Sequence, residues 1–458
     1  MSHSSASPSR LGWRERLSYG AGDFGLNFYW QGAGYFLLFY YTDVAGLPST
    51  AAGVAFAVGG LVDAVTDPAM GILADRTRSR WGPYRPYLLY GALPLGLAFM
   101  LLFTLPSFAP AGWALGAALG THALFRICYT CVSIPYGALG ARLTFNASER
   151  TTLAGVRMIG GALGGVVMVL TVSALRNAAP DSTAFVVASA LAGVAGVALV
   201  WVTFAGAKEP AILRANESDD GPETYSLARV FKALTDNRPF LITVVAIFLL
   251  TVANMIVVKT ALYRFEHILV APLAAGLAIT LMTAAPIAAI PMWVWIYIRI
   301  DKRPAFLCGC AMVIVSLATL YLTGAQNVFL AIVAYTAVAI GFSSFAVGFW
   351  SVLPDTIDYG HLKSGLRVES GAIGLASAIQ KIAIALTALG IGVVFDIIGY
   401  QPGEAQDPAT ATALHQFISL APIVFMLVSA LVFSRYPISS SRHADIVARL
   451  RRADAPER

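Results

Sequence analysis

Two aspartates, Asp63 and Asp67, lie four residues apart in an apolar segment of the sequence VDAVTDPAMGILADRTRSRWG. Residues at this spacing share one face of a helix, so the two carboxylates are predicted to lie side by side. Two ionised carboxylates so close together repel each other unless they hold a cation between them or keep a proton. The pair therefore predicts a sodium or proton site. The alternative is that both acids balance the arginines that follow, although Asp75 already lies beside those arginines.

Three other apolar segments carry polar side chains at helical spacing. The sets are His122, Arg126, Tyr129, Thr130 and Ser133 in one segment, Asp23, Asn27 and Gln31 in another, and Ser370, Gly374, Ser377 and Lys381 in the third. Lipid does not tolerate such faces, so we expect them to line an aqueous cavity. Aromatic residues beside hydrogen-bonding groups, such as Trp30 near Asn27, suit a sugar. For any single residue, a structural contact between helices is the alternative.

The elements that must position these residues are membrane helices. Of the 458 residues, 57% are hydrophobic and 12% are charged, whereas a soluble domain usually has about 25% charged residues. We find twelve apolar stretches of about 20 residues, the length that crosses a bilayer as a helix. They begin near positions 17, 50, 86, 111, 152, 182, 239, 272, 304, 328, 370 and 411. The sequence therefore predicts an all-α membrane protein.

The net charge of +6 is distributed unevenly along the chain. Most Lys and Arg residues fall near the N-terminus, in alternate loops, in the central polar segment and in the tail. This bias places those regions on the cytoplasmic side and both termini in the cytoplasm. The charge thus sets topology and does not indicate a nucleic-acid partner. The initial MSHSSASPSRLG lacks the apolar segment of a cleavable signal peptide, and we expect an integral protein of a bacterial inner membrane.

The longest polar interruption divides the predicted spans into six and six. We expect an N-terminal six-helix bundle at 1–205, a cytoplasmic middle loop at 206–238, a C-terminal six-helix bundle at 239–436 and a cytoplasmic tail at 437–458. The halves are weakly similar, since ADRTRSRWGPYRP corresponds to IRIDKRP, and IPYGALGARLTFNASERTT to LPDTIDYGHLKSGLRVES. Such repeats are typical of transporters whose site lies between the halves. The glycines of GVRMIGGALGGVVM are interpreted as helix-packing residues.

Several stretches together resemble the glycoside–pentoside–hexuronide:cation symporters of the major facilitator superfamily, the family of the melibiose permease. They are LSYGAGDFG, YYTDVAGL, DAVTDPAMGILADRTRSRWGPYRP, SIPYGAL and PDTIDYG, in the same order over nearly the whole chain. The resemblance implies twelve helices in two bundles, alternating access, and sugar uptake coupled to sodium, lithium or protons. It implies no cofactor beyond the coupling ion, H⁺ or Na⁺. The expected partners are a sugar or glycoside, a monovalent cation and the lipid bilayer, and we expect a monomer.

The resemblance also assigns site residues. It implies a cation site, with Na⁺ as one candidate ion, at Asp63, Asp67 and Thr130, and we include the adjacent Thr66 in this site. It implies that Arg157 is a sugar contact and that Lys381 is a polar group joining the two sites, and it places Tyr129 and Ser377 at site positions. We add Asp23, Asn27, Ser133 and Trp350 as expected substrate-binding residues. Compared with the melibiose permease, Asn27 and Ser133 replace acids, Gly137 replaces a tryptophan, and Thr66 replaces an amide beside the cation pair. These departures argue against a galactoside and favour protons over sodium.

The charge balance of the predicted cavity bears on the substrate. With acids absent at Asn27 and Ser133, Arg157 and Lys381 leave the cavity more positive, which favours an acidic sugar such as a hexuronide or sulfosugar. In the alternative, Asp23 and Arg157 neutralise each other, and the substrate is a neutral pentoside or glycoside.

Two cytoplasmic turns are expected to form charge clusters that latch the outward-open state. The residues are Asp75, Arg76, Arg78 and Arg80 in one turn and Asp301, Lys302 and Arg303 in the other. The alternative functions are a lysolipid carrier of the same fold and a membrane enzyme or sensor. The latter needs a catalytic constellation or a soluble signalling domain, and the sequence offers neither. We therefore predict a cation-coupled sugar transporter and not an enzyme.

Overall fold

The structure is a computed structural model that describes residues 11–110, 112–144, 147–208, 227–323, 327–366 and 368–453. Twelve long helices dominate this part of the chain, which contains no β-strand. They are α1 Trp13–Phe39, α2 Ser49–Arg76, α3 Arg85–Leu102, α4 Ala114–Arg142, α5 Ala147–Ala178, α6 Asp181–Gly206, α7 Arg238–Tyr263, α8 Pro272–Ile300, α9 Lys302–Leu322, α10 Val328–Ser364, α11 Glu369–Ile397 and α12 Pro408–Phe433. Each begins within a few residues of its predicted start, and the all-α prediction is confirmed.

Within the described residues, eleven of these helices have the length and hydropathy of a membrane span. The exception is α1, whose first two turns contain several charged residues and which carries Asp23 and Asn27 further along. Several of its aromatic residues are nevertheless buried, including Tyr19, Phe28 and Tyr29. We therefore count α1 as the twelfth helix, held in place by the helices around it.

The helices form two compact units. The first contains α1–α6 together with Leu389–Ile397 and Gln401–Ala405, and the second contains most of the chain from α7 onward. In the first unit, α1 packs on α5 and α6, α2 on α4, and α3 on α4 and α6. In the second unit, α7 packs on α12, α8 on α10, and α9 on α10 and α12. Four of these pairings recur in the same order, so the two halves are structural repeats.

Among the residues that the structure describes, shorter helices occupy three further segments. Leu105–Phe108 follows α3, Leu227–Thr235 lies in the predicted middle loop, and Ser440–Ala453 lies in the predicted tail. The last of these, named here the C-terminal helix, buries Ile446. The predicted tail therefore contains a folded element that packs on the second unit.

The first helix of each half ends in the same way. A π-helix follows α1 at Tyr40–Val44 and α7 at Arg264–Ile268. A residue with left-handed backbone follows each, namely Gly46 with φ of 67° and Val270 with φ of 49°. Glycine adopts this conformation freely, whereas a β-branched side chain is strained there.

Helix α5 approaches α1 very closely because it presents glycines to it. A Cβ at Gly160 would lie 2.5 Å from the carbonyl oxygen of Gly20, and one at Gly164 would collide with the carbonyl of Phe24. Small residues permit such close backbone contact between membrane helices. This contact brings the polar residues of α5 next to those of α1.

Candidate functional site

The two carboxylates of α2 are both bonded by side chains of α4. Arg126 Nε donates to Asp63 Oδ1 at 2.9 Å, and its Nη2 forms an ion pair with Asp63 Oδ2. One turn further along both helices, Thr130 Oγ1 donates to Asp67 Oδ1 at 2.6 Å. The four-residue spacing of the acids on α2 is thus matched by that of their partners on α4. From the sequence we expected the two acids to hold a cation or a proton, and the structure gives Asp63 the guanidinium of Arg126 as a partner.

The hydroxyl of Thr66 completes this cluster. Thr66 Oγ1 donates to the carbonyl of Val62 at 2.9 Å and lies 3.5 Å from Thr130 Oγ1. The structure therefore brings together all four residues proposed for the cation site. Within the described residues, no three His, Cys, Asp or Glu side chains are grouped so that they could hold a metal ion.

A second Asp–Arg pair joins α1 to α5. Arg157 Nε lies 3.1 Å from Asp23 Oδ1. Asn27 Nδ2 donates to the backbone carbonyl of Asp23 at 2.9 Å and lies 3.4 Å from Asp23 Oδ2. This is the arrangement of the neutral alternative, in which Asp23 compensates the charge of Arg157.

Gly161 makes room for these side chains. A Cβ at this position would lie 2.6 Å from Asn27 Nδ2 and would collide with Asp23 Oδ2. From the sequence we interpreted the α5 glycines as packing residues alone, and the role of Gly161 beside Asp23 and Asn27 was not predicted. The signal was available, because Gly161 lies four residues after Arg157 on the same helix face.

Aromatic rings cover both guanidinium groups. Arg126 Cζ lies 5.3 Å from the centroid of the Trp30 ring, and Arg157 Cζ lies 5.4 Å from that of Tyr136. The Trp30 ring, 38% exposed, also lies 5.7 Å from the ring of Tyr129. Ser133 is half-buried one turn after Tyr129. This face therefore combines charged groups, hydroxyls and flat apolar surface.

The predicted site residues of the C-terminal half lie in the second unit. On α11, Ser377 is exposed and Lys381 is half-buried one turn later. Trp350 belongs to α10, but its side chain and that of Ser370 lie outside the described residues.

The second unit contains a cavity of about 330 Å³ that the sequence did not reveal. Its walls include Phe342, Phe345 and Phe349 of α10, and its polar lining includes Thr251 and Asn254 of α7. None of its lining residues in the described part of the chain is charged. Such a surface suits an uncharged, largely apolar group.

Residues of the two predicted cytoplasmic clusters also bind groups outside those clusters. Asp75 accepts a hydrogen bond from the Tyr84 hydroxyl at 2.7 Å. Lys302 Nζ pairs with Asp355 of α10 at 2.5 Å. Arg76 and Arg303 are exposed.

The Asp301 carboxylate is hydrogen-bonded both to the start of α9 and to the C-terminal helix. Its carboxylate accepts hydrogen bonds from the Lys302 amide and the Ser440 hydroxyl, each at 2.7 Å. Partial burial opposes ionisation, but these hydrogen bonds outweigh it and lower the pKa of Asp301. The C-terminal helix is also held by His443, whose Nε2 lies 2.9 Å from Asp358 Oδ2.

Comparison with known proteins identifies the family. The sequence pattern of the family described as MFS/sugar transport protein matches residues 18–440. The chain belongs to this family. It is accordingly an integral membrane transporter of the major facilitator fold that carries small molecules, and not an enzyme.

Several curated relatives of this MFS/sugar transport protein cover nearly its full length. The glucuronide carrier protein homolog of Escherichia coli (strain K12) is 26% identical over 445 residues, 96% of each chain. The isoprimeverose transporter of Lactiplantibacillus pentosus is 28% identical over 435 residues, 93% of this chain and 89% of the relative. The putative sulfoquinovose importer of Escherichia coli (strain K12) is 28% identical over 450 residues, 96% of this chain and 93% of the relative.

Solved structures show the same fold. The nucleoside transporter NupG superposes with a TM-score of 0.66 at 13% identity, over 92% of this chain and 99% of NupG. A bacterial homolog of the human lysosomal transporter Spinster superposes with a TM-score of 0.67 at 12% identity, over 94% of this chain and 97% of that one. At these identities the likeness establishes the fold alone.

Proposed function

We propose that this transporter couples uptake of a sugar or glycoside to a monovalent cation by alternating access. We place it in the bacterial inner membrane, as a monomer with both termini in the cytoplasm. The observation that carries the proposal is the pair of α2 carboxylates bonded to α4. A putative glycoside/cation symporter of Escherichia coli (strain K12), 26% identical over 440 residues, supports this reading. Neither the lysolipid carrier nor the enzyme or sensor alternative is favoured by the relatives.

The sugar is proposed to bind at the face formed by α1, α4 and α5. Asp23 and Arg157 offer an acceptor and donors for hydroxyls, and Asn27 offers an amide beside them. Trp30 and Tyr129 offer aromatic surface for a sugar ring. We further propose Ser133, Ser377, Lys381 and Trp350 as substrate-binding residues, and Asp63, Asp67, Thr66 and Thr130 as the coupling site.

The ion pair of Asp23 with Arg157 bears on the substrate's charge. A carboxylate on the sugar would have to displace Asp23 from Arg157 before it could pair with the guanidinium. The relatives include a glucuronide carrier homolog and an isoprimeverose transporter, so both chemistries occur among them. The ion pair supports the neutral alternative. We therefore expect neutral glycosides to displace a bound tracer at lower concentration than glucuronides do.

The test of coupling is Asp67→Asn in proteoliposomes with an imposed proton or sodium gradient. The variant should lose accumulation against a gradient but retain exchange of internal for external substrate. Asp445→Asn, an exposed acid on the C-terminal helix, serves as the matched control and should accumulate substrate normally. Equal accumulation by Asp67→Asn and the wild type would refute the assignment.

A further inference from the structure

Arg126 holds Asp63 through both carboxylate oxygens. Its Nε donates to Oδ1 at 2.9 Å while Nη2 pairs with Oδ2. The side chains are 12% and 4% exposed, respectively. Arginine is the residue best suited to such two-point binding, because its planar donors match the two oxygens of a carboxylate.

The arginine changes the charge available to a coupling ion. With both acids ionised, Asp63 and Asp67 carry two negative charges, and Arg126 returns one positive charge. A sodium ion binds through several oxygen atoms and is attracted by net negative charge. At Asp63 it would meet oxygens that already accept guanidinium hydrogen bonds, and it would lie beside a fixed positive charge.

We infer that Arg126 is a resident cation, attached to α4, that occupies the place of sodium at Asp63. This inference rests on the proposed function and narrows the choice of coupling ion from a monovalent cation to a proton. Sodium is excluded from Asp63, and the coupling charge is a proton carried at Asp67, whose oxygen is bonded by the Thr130 hydroxyl. The proton passes from water to the Asp67 carboxylate and back, with no other bond formed or broken.

The same guanidinium also touches the aromatic surface of the first unit. Arg126 Cζ lies 5.3 Å from the Trp30 ring, and that ring neighbours Tyr129. The resident cation therefore links the Asp63 carboxylate to the face proposed for the sugar. Arg126→Lys keeps the positive charge but loses the planar guanidinium and its contact with the Trp30 ring. This variant therefore separates the effect of the charge from the effect of the guanidinium group.

The test measures thermal unfolding of purified full-length protein in detergent, in sodium chloride against choline chloride at constant pH and ionic strength. The wild type and Arg126→Lys should show no sodium-specific rise in unfolding temperature. Arg126→Gln should gain such a rise, and the double variant Asp63→Asn/Arg126→Gln should lose it again. A sodium-specific rise in the wild type, or none in a folded Arg126→Gln, overturns the inference.

A second measurement needs only the wild type and applies even where Arg126→Gln does not fold. Substrate uptake driven by a proton gradient should be unchanged when sodium replaces choline at fixed pH and voltage, and stimulation by sodium overturns the inference. Failure of the proposed function looks different, because no sugar would then be taken up under any gradient. The unfolding experiment requires no sugar and still decides the role of Arg126.

Discussion

The two Asp–Arg pairs of the first unit should differ sharply in their contribution to stability. In the Arg126–Asp63 pair the side chains are 12% and 4% exposed, whereas in the Arg157–Asp23 pair they are 43% and 15% exposed. Removing one member of a buried pair leaves an uncompensated charge and costs about 3–5 kcal/mol. An exposed pair contributes only about 0–1 kcal/mol. We therefore expect Arg126→Gln to cost several times more stability than Arg157→Gln.

A double-mutant cycle isolates the interaction itself. Asp63→Asn and Arg126→Gln each leave one charge of this pair buried without its partner, while the double variant removes both charges of the pair. The double variant should therefore lose less stability than the sum of the single losses, by about 1–3 kcal/mol, the upper part of the range for residues in direct contact. Additive losses would mean that the two groups do not interact as the structure shows.

The assay is equilibrium unfolding in detergent micelles with added sodium dodecyl sulfate, followed by tryptophan fluorescence. The parallel cycle of Asp23→Asn and Arg157→Gln is the control, and its interaction energy should be the smaller of the two. Equal losses for Arg126→Gln and Arg157→Gln would refute the reasoning from burial.

Three further changes test other features. Gly161→Ala should impair transport, because its Cβ would press on Asp23 and Asn27, whereas Gly155→Ala on the same helix meets nothing within 4 Å and should leave uptake unchanged. Val270→Gly should raise the free energy of unfolding by about 0.5–1 kcal/mol, because it relieves the strain of a left-handed backbone at a β-branched residue. Gly46→Val should lower the free energy of unfolding by about 1–2 kcal/mol. Chemical unfolding of both variants measures these changes. The pKa of Asp301 is lowered from 3.8. The hydrogen bond from Ser440 to the Asp301 carboxylate should therefore be fully formed above that value and be lost as the pH falls through the lowered pKa. A nitroxide label at Ala444 should therefore stay immobile near neutral pH and become mobile in acid, and Ser440→Ala should mobilise it at neutral pH.

Helix number and position were predictable because apolar length is a local property of the sequence. The polar faces of α1, α2 and α4 were predictable because the helical spacing of side chains is also a local property of the sequence. The Arg126–Asp63 contact was not, although both residues were singled out. Which residue of α4 meets Asp63 depends on how far the two helices slide along each other, and packing along the whole contact sets that register.

Two other features were not predicted for a similar reason. The ion pair of Lys302 with Asp355 of α10 was not predicted, because the two residues are far apart in sequence. The cavity of the second unit is formed by side chains from several helices, and no single helix face indicates it. Local patterns predict elements and faces, whereas contacts between distant elements require the fold.

The C-terminal helix has a consequence for how the protein is synthesised. Asp301 accepts a hydrogen bond from Ser440, and Asp358 forms an ion pair with His443. Both partners follow α12 in the chain. Domains generally fold as their segments leave the ribosome. When α12 has been inserted into the membrane, these two acids still lack those partners. A messenger RNA truncated just after α12 should thus yield a chain with all twelve membrane helices and an unfinished cytoplasmic surface, open to the proteases that remove incomplete products.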